Sequence, residues 1–232
     1  MYTLAIDTSN QILGVALMKG KNIVGEFVTN LAKNHSARLM PAVDHLMKEV
    51  QVSPAQLEKI VVAKGPGSYT GVRIGLTTAK TMAWALNIPI IGVSSLEALS
   101  YQGRFFSSII CPFFNARRGL VYTGLYQWDD GSMKILGKEQ NIVMTDWLEE
   151  LAKREEEVLF LSPDIDQFKD VIHDYLGDLA IIPDGAFHIP NPSHLILIAD
   201  GRETDLTHRL TPNYLRLAEA EAKWLEGQEG KK

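Results

Sequence analysis

Gly65-Pro66-Gly67-Ser68-Tyr69-Thr70-Gly71-Val72-Arg73-Ile74-Gly75 sets four glycines, one proline and three hydroxyl side chains where an apolar run turns into a helical pattern. Ile60–Ala63 before it reads as a buried strand, and Val72–Leu86 after it as a helix. A glycine-rich turn between strand and helix is where helix N–H groups capture anions. This one is not a Walker A loop, which needs Gly-Lys-Ser/Thr before the helix. Nor is it a Gly-x-Ser-x-Gly elbow, because the glycines around Ser68 are wrongly spaced. Its plain reading is a tight loop with Ser68 or Thr70 as helix cap, but four glycines exceed what a cap requires.

Working outward, strands are expected at Tyr2–Ile6, Gly14–Met18 and Ile23–Thr29, a helix at Ala37–Val50, and a short helix opened by Ser53-Pro54. Pro89–Val93 reads as a strand and Ser95–Gln102 as a helix. From Ser107 the order restarts: strands at Ser107–Phe114, Leu120–Gln127 and Met133–Val143, a helix at Thr145–Lys153, a strand at Val158–Leu161, a helix at Asp166–Tyr175, a strand at Leu179–Ile182 and a helix near Ser193–Asp200. Two passes of one element order predict an α/β protein of two lobes, 1–104 and 105–217, with mixed sheets flanked by helices and a cleft between them. A charged, glycine-interrupted tail, 218–232, follows.

The 232 residues carry a formal charge of −5, with 46% hydrophobic and 22% charged side chains. Such a balance argues against a chain that grips nucleic acid by itself; Arg117-Arg118 is its densest arginine pair. The lone Cys111 sits in the apolar run Ile109–Phe114, so it reads as a buried thiol in a reducing compartment. The N-terminus lacks a signal peptide's basic and apolar regions, and no run reaches a membrane span, which together predict a cytoplasmic protein. The six histidines form no His-x-x-x-His pair, so neither a metal site nor a catalytic constellation is expected.

Asp7-Thr8-Ser9-Asn10 joins the first two strands. It is either a turn held by its own side chains or a phosphate-binding hairpin in which Asp7 holds hydrated magnesium. On the helix after the glycine loop, Val72, Leu76, Ala79, Ala83 and Leu86 form a core face. Gly71, Gly75, Thr78, Met82 and Ala85 form a second stripe of small residues. The earlier helix, with Leu39, Val43, Leu46 and Val50 inward, carries a spare shoulder of Met40 and Met47. Together these predict a partner-binding face made of Ser36, Met40, Met47, Gly71, Gly75, Thr78 and Met82, on which enlarging Gly75 would break association more than folding.

In this order the motifs resemble the bacterial TsaB (YeaZ) family of the actin, Hsp70 and sugar kinase superfamily. The resemblance is carried by Asp7-Thr8-Ser9, His35-Ser36-x-x-Leu39-x-Pro41, the Gly65–Gly75 string and Val93-Ser94-Ser95-Leu96-Glu97-Ala98. It continues through Asn115-Ala116-Arg117-Arg118-Gly119-x-Val121-Tyr122 and Pro212-x-Tyr214-Leu215-Arg216. It implies a duplicated ribonuclease H-like fold and a part in making N6-threonylcarbamoyladenosine in tRNAs that read codons beginning with A. It also implies a non-catalytic subunit that pairs with a catalytic paralogue, TsaD, with the ATPase TsaE joining the complex, tRNA reached indirectly, and a homodimer when the partner is absent. In that paralogue, histidines of a His-Met-Glu-Gly-His segment hold a metal. Ser95 and Leu99 stand at the matching positions here, so the resemblance implies no metal and no tightly bound cofactor, with nucleotide held weakly or only in the complex. Asn115 replaces the family's usual aspartate. The rival readings are an active ATPase or small-molecule kinase and, behind it, a metallopeptidase.

Overall fold

A computed structural model describes residues 2–31, 34–129 and 132–215, so the tail expected from Ala218 and Arg216 of the last motif lie outside it. The first half runs β1 (Tyr2–Asp7), β2 (Ile12–Lys19), β3 (Asn22–Asn30), α1 (His35–Glu49), β4 (Leu57–Ala63), α2 (Tyr69–Leu86), β5 (Ile90–Val93) and α3 (Ser95–Ser100). The second repeats it as β6 (Ile109–Asn115), β7 (Leu120–Asp129), β8 (Ser132–Val143), α4 (Met144–Ala152), β9 (Val158–Leu161), α5 (Lys169–Leu176), β10 (Ala180–Ile181) and α6 (Pro192–Ile198). The expected helix after Ser53-Pro54 is a single 3₁₀ turn, Pro54–Gln56, closed by Ser53 and Gln56 as a capping box.

Each half builds one five-stranded sheet, ordered β3-β2-β1-β4-β5 and β8-β7-β6-β9-β10. In both, the first three strands are antiparallel and the fourth and fifth run parallel to the first. The fold is thus the duplicated ribonuclease H-like architecture, two mixed sheets flanked by helices. Alternation along β1 and β2 sorts the first sheet's faces. Leu4, Ile6, Leu13, Val15 and Leu17 meet Leu39, Val43, Leu46 and Met47 of α1 and Leu76, Ala79 and Ala83 of α2. On the second sheet, Ile109, Cys111, Phe113, Val121 and Leu125 meet Trp147 and Leu148 of α4 and Ile172 of α5. Cys111 is fully buried, and burial pushes its thiol up to about 11.

The third helix of each half crosses over. Leu195, Ile196 and Ile198 of α6 pack on Ala5, Ala16, Met18 and Val61 of the first sheet. Leu96 and Leu99 of α3 pack with Ile110, Phe114, Tyr126 and Leu161 of the second. The small side chains Ala5 and Ala16 leave room for α6, and a methyl group added at Gly14 would lie 3.0 Å from Pro192. Spatial lobes therefore differ from the sequence spans 1–104 and 105–217: each sheet is completed by the other half's last helix. Amphipathic spacing identifies a helix's buried side but not the sheet that buries it.

Candidate functional site

The tips of the β1–β2 and β6–β7 hairpins border one open cleft of about 900 Å³ between the lobes, together with the Gly65–Gly71 loop and the start of α1. At the first tip Asp7 is buried, and its Oδ1 accepts from the Ser9 N–H at 2.8 Å and the Ser9 hydroxyl at 2.7 Å. Burial raises the Asp7 pKa, while the bonds from Ser9 pull it back. The Thr8 hydroxyl donates to the Gly71 carbonyl at 2.8 Å, and the Ser9 carbonyl accepts from the Ser68 N–H at 2.6 Å. Asn10 bonds the Ile12 N–H through its side chain, and its carbonyl accepts from His35 Nε2 at 2.9 Å. The hairpin's Asp7, Thr8 and Ser9 side chains are thus all engaged by the chain itself.

The glycine string explains how. A Cβ at Gly67 would fall 2.0 Å from the Ser9 carbonyl oxygen, and one at Gly71 2.2 Å from that of Thr8. Absent side chains let the loop lie directly on the hairpin. Ser68 caps α2 by accepting from the Gly71 N–H at 3.2 Å.

The second tip repeats one hydrogen bond of the first on a different backbone. Asn115 closes β6 as Asp7 closes β1, and its Oδ1 accepts the N–H two residues on, that of Arg117, at 2.7 Å. Its amide donates to Gln167 at 2.8 Å, and its own N–H to Asp164 at 3.1 Å. Burial raises the Asp164 pKa, with the Asn115 N–H opposing. Arg117 and Arg118 follow in left-handed backbone, φ 67° and 56°. This likeness between the halves leaves no residue identity for sequence reading to detect.

The segment after α6 returns along the first lobe. The Asp205 N–H bonds the Ile90 carbonyl at 2.9 Å, Lys80 donates to the Leu210 carbonyl at 2.8 Å, and the Asn213 N–H donates to that of Lys64 at 2.7 Å. It delivers Tyr214 onto Tyr69, ring centroids 5.4 Å apart, with the Arg73 guanidinium 3.8 Å over Tyr69 and Arg73 Nε donating to the Tyr214 hydroxyl at 2.5 Å. Asn213 also donates to Glu139 at 2.8 Å, and Glu139 accepts from Tyr126 at 2.7 Å and from Ser94, tying the two lobes together. No local signal announces this union of the 65–75 and 212–215 motifs, whose residues lie far apart in sequence.

Ser95 and Leu99, at the positions that the resemblance matches to the paralogue's metal ligands, are buried, and among the described residues Ser95 Oγ has no partner. Between them, Glu97 is paired through both oxygens with Arg202. Among the described residues no three His, Cys, Asp or Glu side chains are grouped to hold a metal ion.

The expected partner face divides. Ser36 and Met40 are exposed, the latter 47%, while Thr78 and Met82 are half-buried. Met47 is a core residue. Gly71 and Gly75 are buried against β1: a Cβ at Gly75 would sit 2.5 Å from Thr8 Oγ1. Their smallness therefore answers to their own chain, correcting the expectation that they face outward. The largest exposed side chain on α2 is Trp84, at 68%, which the small-residue stripe passed over.

A family model described as TsaD: tRNA N6-adenosine threonylcarbamoyltransferase matches residues 22–224. The chain is 52% identical over 228 residues to the tRNA threonylcarbamoyladenosine biosynthesis protein TsaB of Bacillus subtilis (strain 168), spanning 98% of this chain and all of that one. The protein of the same name from Escherichia coli (strain K12) is 32% identical over 136 residues, 57% of this chain and 58% of its own. Among solved structures, an uncharacterized Pseudomonas aeruginosa protein with similarity to peptidase YEAZ superposes with a TM-score of 0.77 at 25% identity, covering 93% of this chain and 99% of that one.

Proposed function

The chain belongs to the TsaB family of tRNA threonylcarbamoyladenosine biosynthesis proteins, and on that premise we propose that it is a non-catalytic subunit pairing, through the outer face of α1 and α2, with a catalytic paralogue of the TsaD type. The observation that carries the reading is the chemistry of α2. In its 18 residues only Arg73 and Lys80 are charged, and Lys80 is turned onto the Leu210 carbonyl. Thr77, Thr81 and Trp84 follow one another along the exposed side, where Trp84 borders Leu206, His208 and Arg209 of the returning segment. A solvent-facing helix normally carries charge there, and an exposed tryptophan on a helix face this short of charge is the composition of an interface. The same face serves a homodimer when the paralogue is absent. An ATPase of the TsaE type is reached through the complex.

The non-catalytic part of the reading is supported by the first hairpin, whose polar groups are bonded within the chain, and by Ser95 and Leu99 where metal ligands would stand. Nucleotide is accordingly not held tightly by this chain. The test is co-purification with the paralogue and threonylcarbamoylation of tRNA, comparing the natural protein with Trp84→Asp. Burying an aspartate in place of an anchor of this kind weakens pairing by about thirtyfold or more, with the monomer's melting temperature held. Undiminished pairing by Trp84→Asp would sink the assignment of the face. Tight ATP binding by the chain alone would favour the ATPase reading.

A further inference from the structure

We propose that the mouth of the interlobe cleft, where Tyr69, Tyr214 and Arg73 stack and the Arg117-Arg118 turn projects, holds unpaired RNA by base stacking and phosphate contact. The proposal rests on the reading that the chain acts in tRNA modification, and adds the surface that meets the RNA. Two features carry it. Tyr69 and Tyr214 stay 44% and 41% exposed although they stack on each other, so ring surface is left at the cleft. The rings are also held in place: Arg73 lies 3.8 Å over Tyr69 and bonds the Tyr214 hydroxyl. A platform fixed in advance takes up a base without the ordering that a free side chain would need.

Charge supplies the rest. Arg117 and Arg118 are exposed at the opposite hairpin, on a backbone with φ 67° and 56° that arginine rarely adopts and that the Asn115 bond to the Arg117 N–H closes. The carboxylate lining the same cleft, Asp164, is half-buried and accepts from the Asn115 N–H. In a chain of net charge −5, the described residues lining the cleft set Arg117 and Arg118 against one carboxylate, Asp164, a local excess of positive charge that suits an anion. Aromatic rings interleaved with guanidinium groups suit bases that are out of a duplex, because each base offers a π-face and each phosphate a charge. A duplex hides those faces.

The experiment titrates an anticodon stem-loop RNA, and a DNA duplex of equal length, against the full chain alone and against the chain co-purified with its paralogue, over a series of salt concentrations. Tyr214→Ala is expected to weaken RNA binding roughly fivefold to a hundredfold, with Tyr214→Phe, which keeps the ring and loses its bond to Arg73, weakened less and the duplex unaffected. Arg117→Asn/Arg118→Asn, chosen because asparagine tolerates left-handed backbone, is expected to flatten the plot of log affinity against log salt by about 1.4, or 0.7 per lost phosphate contact. Should Tyr214→Ala fail to fold, the arginine variant decides alone, since it alters an exposed turn. Unchanged RNA affinity and salt slope in that variant would overturn the proposal. Loss of paralogue pairing in these variants at undiminished RNA affinity would overturn it too, and assign the cleft mouth to a protein. Trp84→Asp separates the two readings: it breaks pairing and leaves the chain's own RNA affinity in place.

Discussion

Gly75→Ala should destabilise the chain itself, and the structure sets the size of the effect. An alanine in a helix is worth about 1 kcal/mol over glycine. Against that gain, the new Cβ would lie 2.5 Å from Thr8 Oγ1, in a side chain that is 1% exposed and donates to the Gly71 carbonyl at 2.8 Å. Thr8 cannot yield without straining that bond, worth about 0.5–1.5 kcal/mol, and overpacking adds about 1–3 kcal/mol. The net loss is about 0.5–3.5 kcal/mol, a drop of about 1–14 °C in melting temperature for a chain of this size. Removing the obstruction should change the sign: in a Thr8→Ala background, Gly75→Ala becomes neutral or stabilising, a coupling of about 1–3 kcal/mol. Urea melts of the four proteins, read at constant m, measure the cycle, and a pull-down of the paralogue runs beside them. Gly75→Ala that stabilises the monomer by about 1 kcal/mol while abolishing pairing would refute this geometry and return Gly75 to the outer face.

Acid should weaken the fold through His194. Burial, aided by Arg104, depresses its pKa from 6.5 to about 4, so the unfolded chain binds the proton first and stability falls as pH drops from about 6.5 towards 4. Between pH 7 and pH 5 the stability advantage over His194→Gln should shrink by about 2 kcal/mol, and parallel pH profiles for the two proteins would contradict the assignment. Arg202→Met should cost about 2–3 kcal/mol by leaving the buried Glu97 carboxylate alone, and Glu97→Met/Arg202→Met should recover much of it; equal losses in both variants would show that Arg202 acts by its own packing.

Strands and helices were legible because their signals are local. Leu4 and Ile6 alternate with Ala5, and Leu39, Val43 and Leu46 recur at helical spacing. What stayed hidden depends on contacts between distant residues. On α2, the rows Gly71–Gly75 and Val72–Leu76 are neighbours on the helix surface, and a wheel divides them into two faces. The hairpin tip lying over the first turns buries both rows there, and only further on does the buried arc narrow to Ala79 and Ala83. Met47 is buried for a similar reason, because α1 lies broadside on β2 and β3. The cleft was foreseen from the duplication, but its Tyr69–Tyr214 stack joins residues that no period or spacing relates.

The exchange of α3 and α6 bears on how the chain is made. When β5 has left the ribosome, all five strands of the first sheet exist, yet the face carrying Ala5, Ala16 and Val61 lacks its main cover until Leu195 and Ile198 arrive, about a hundred residues later. At roughly 5–20 residues per second that is a wait of about 5–20 s. Meanwhile α3 shows Leu96 and Leu99 to a second sheet not yet synthesised. Neither half can finish alone. The nascent amino-terminal half must cross that interval with one side of its sheet largely bare, a natural target for a chaperone at the ribosome exit.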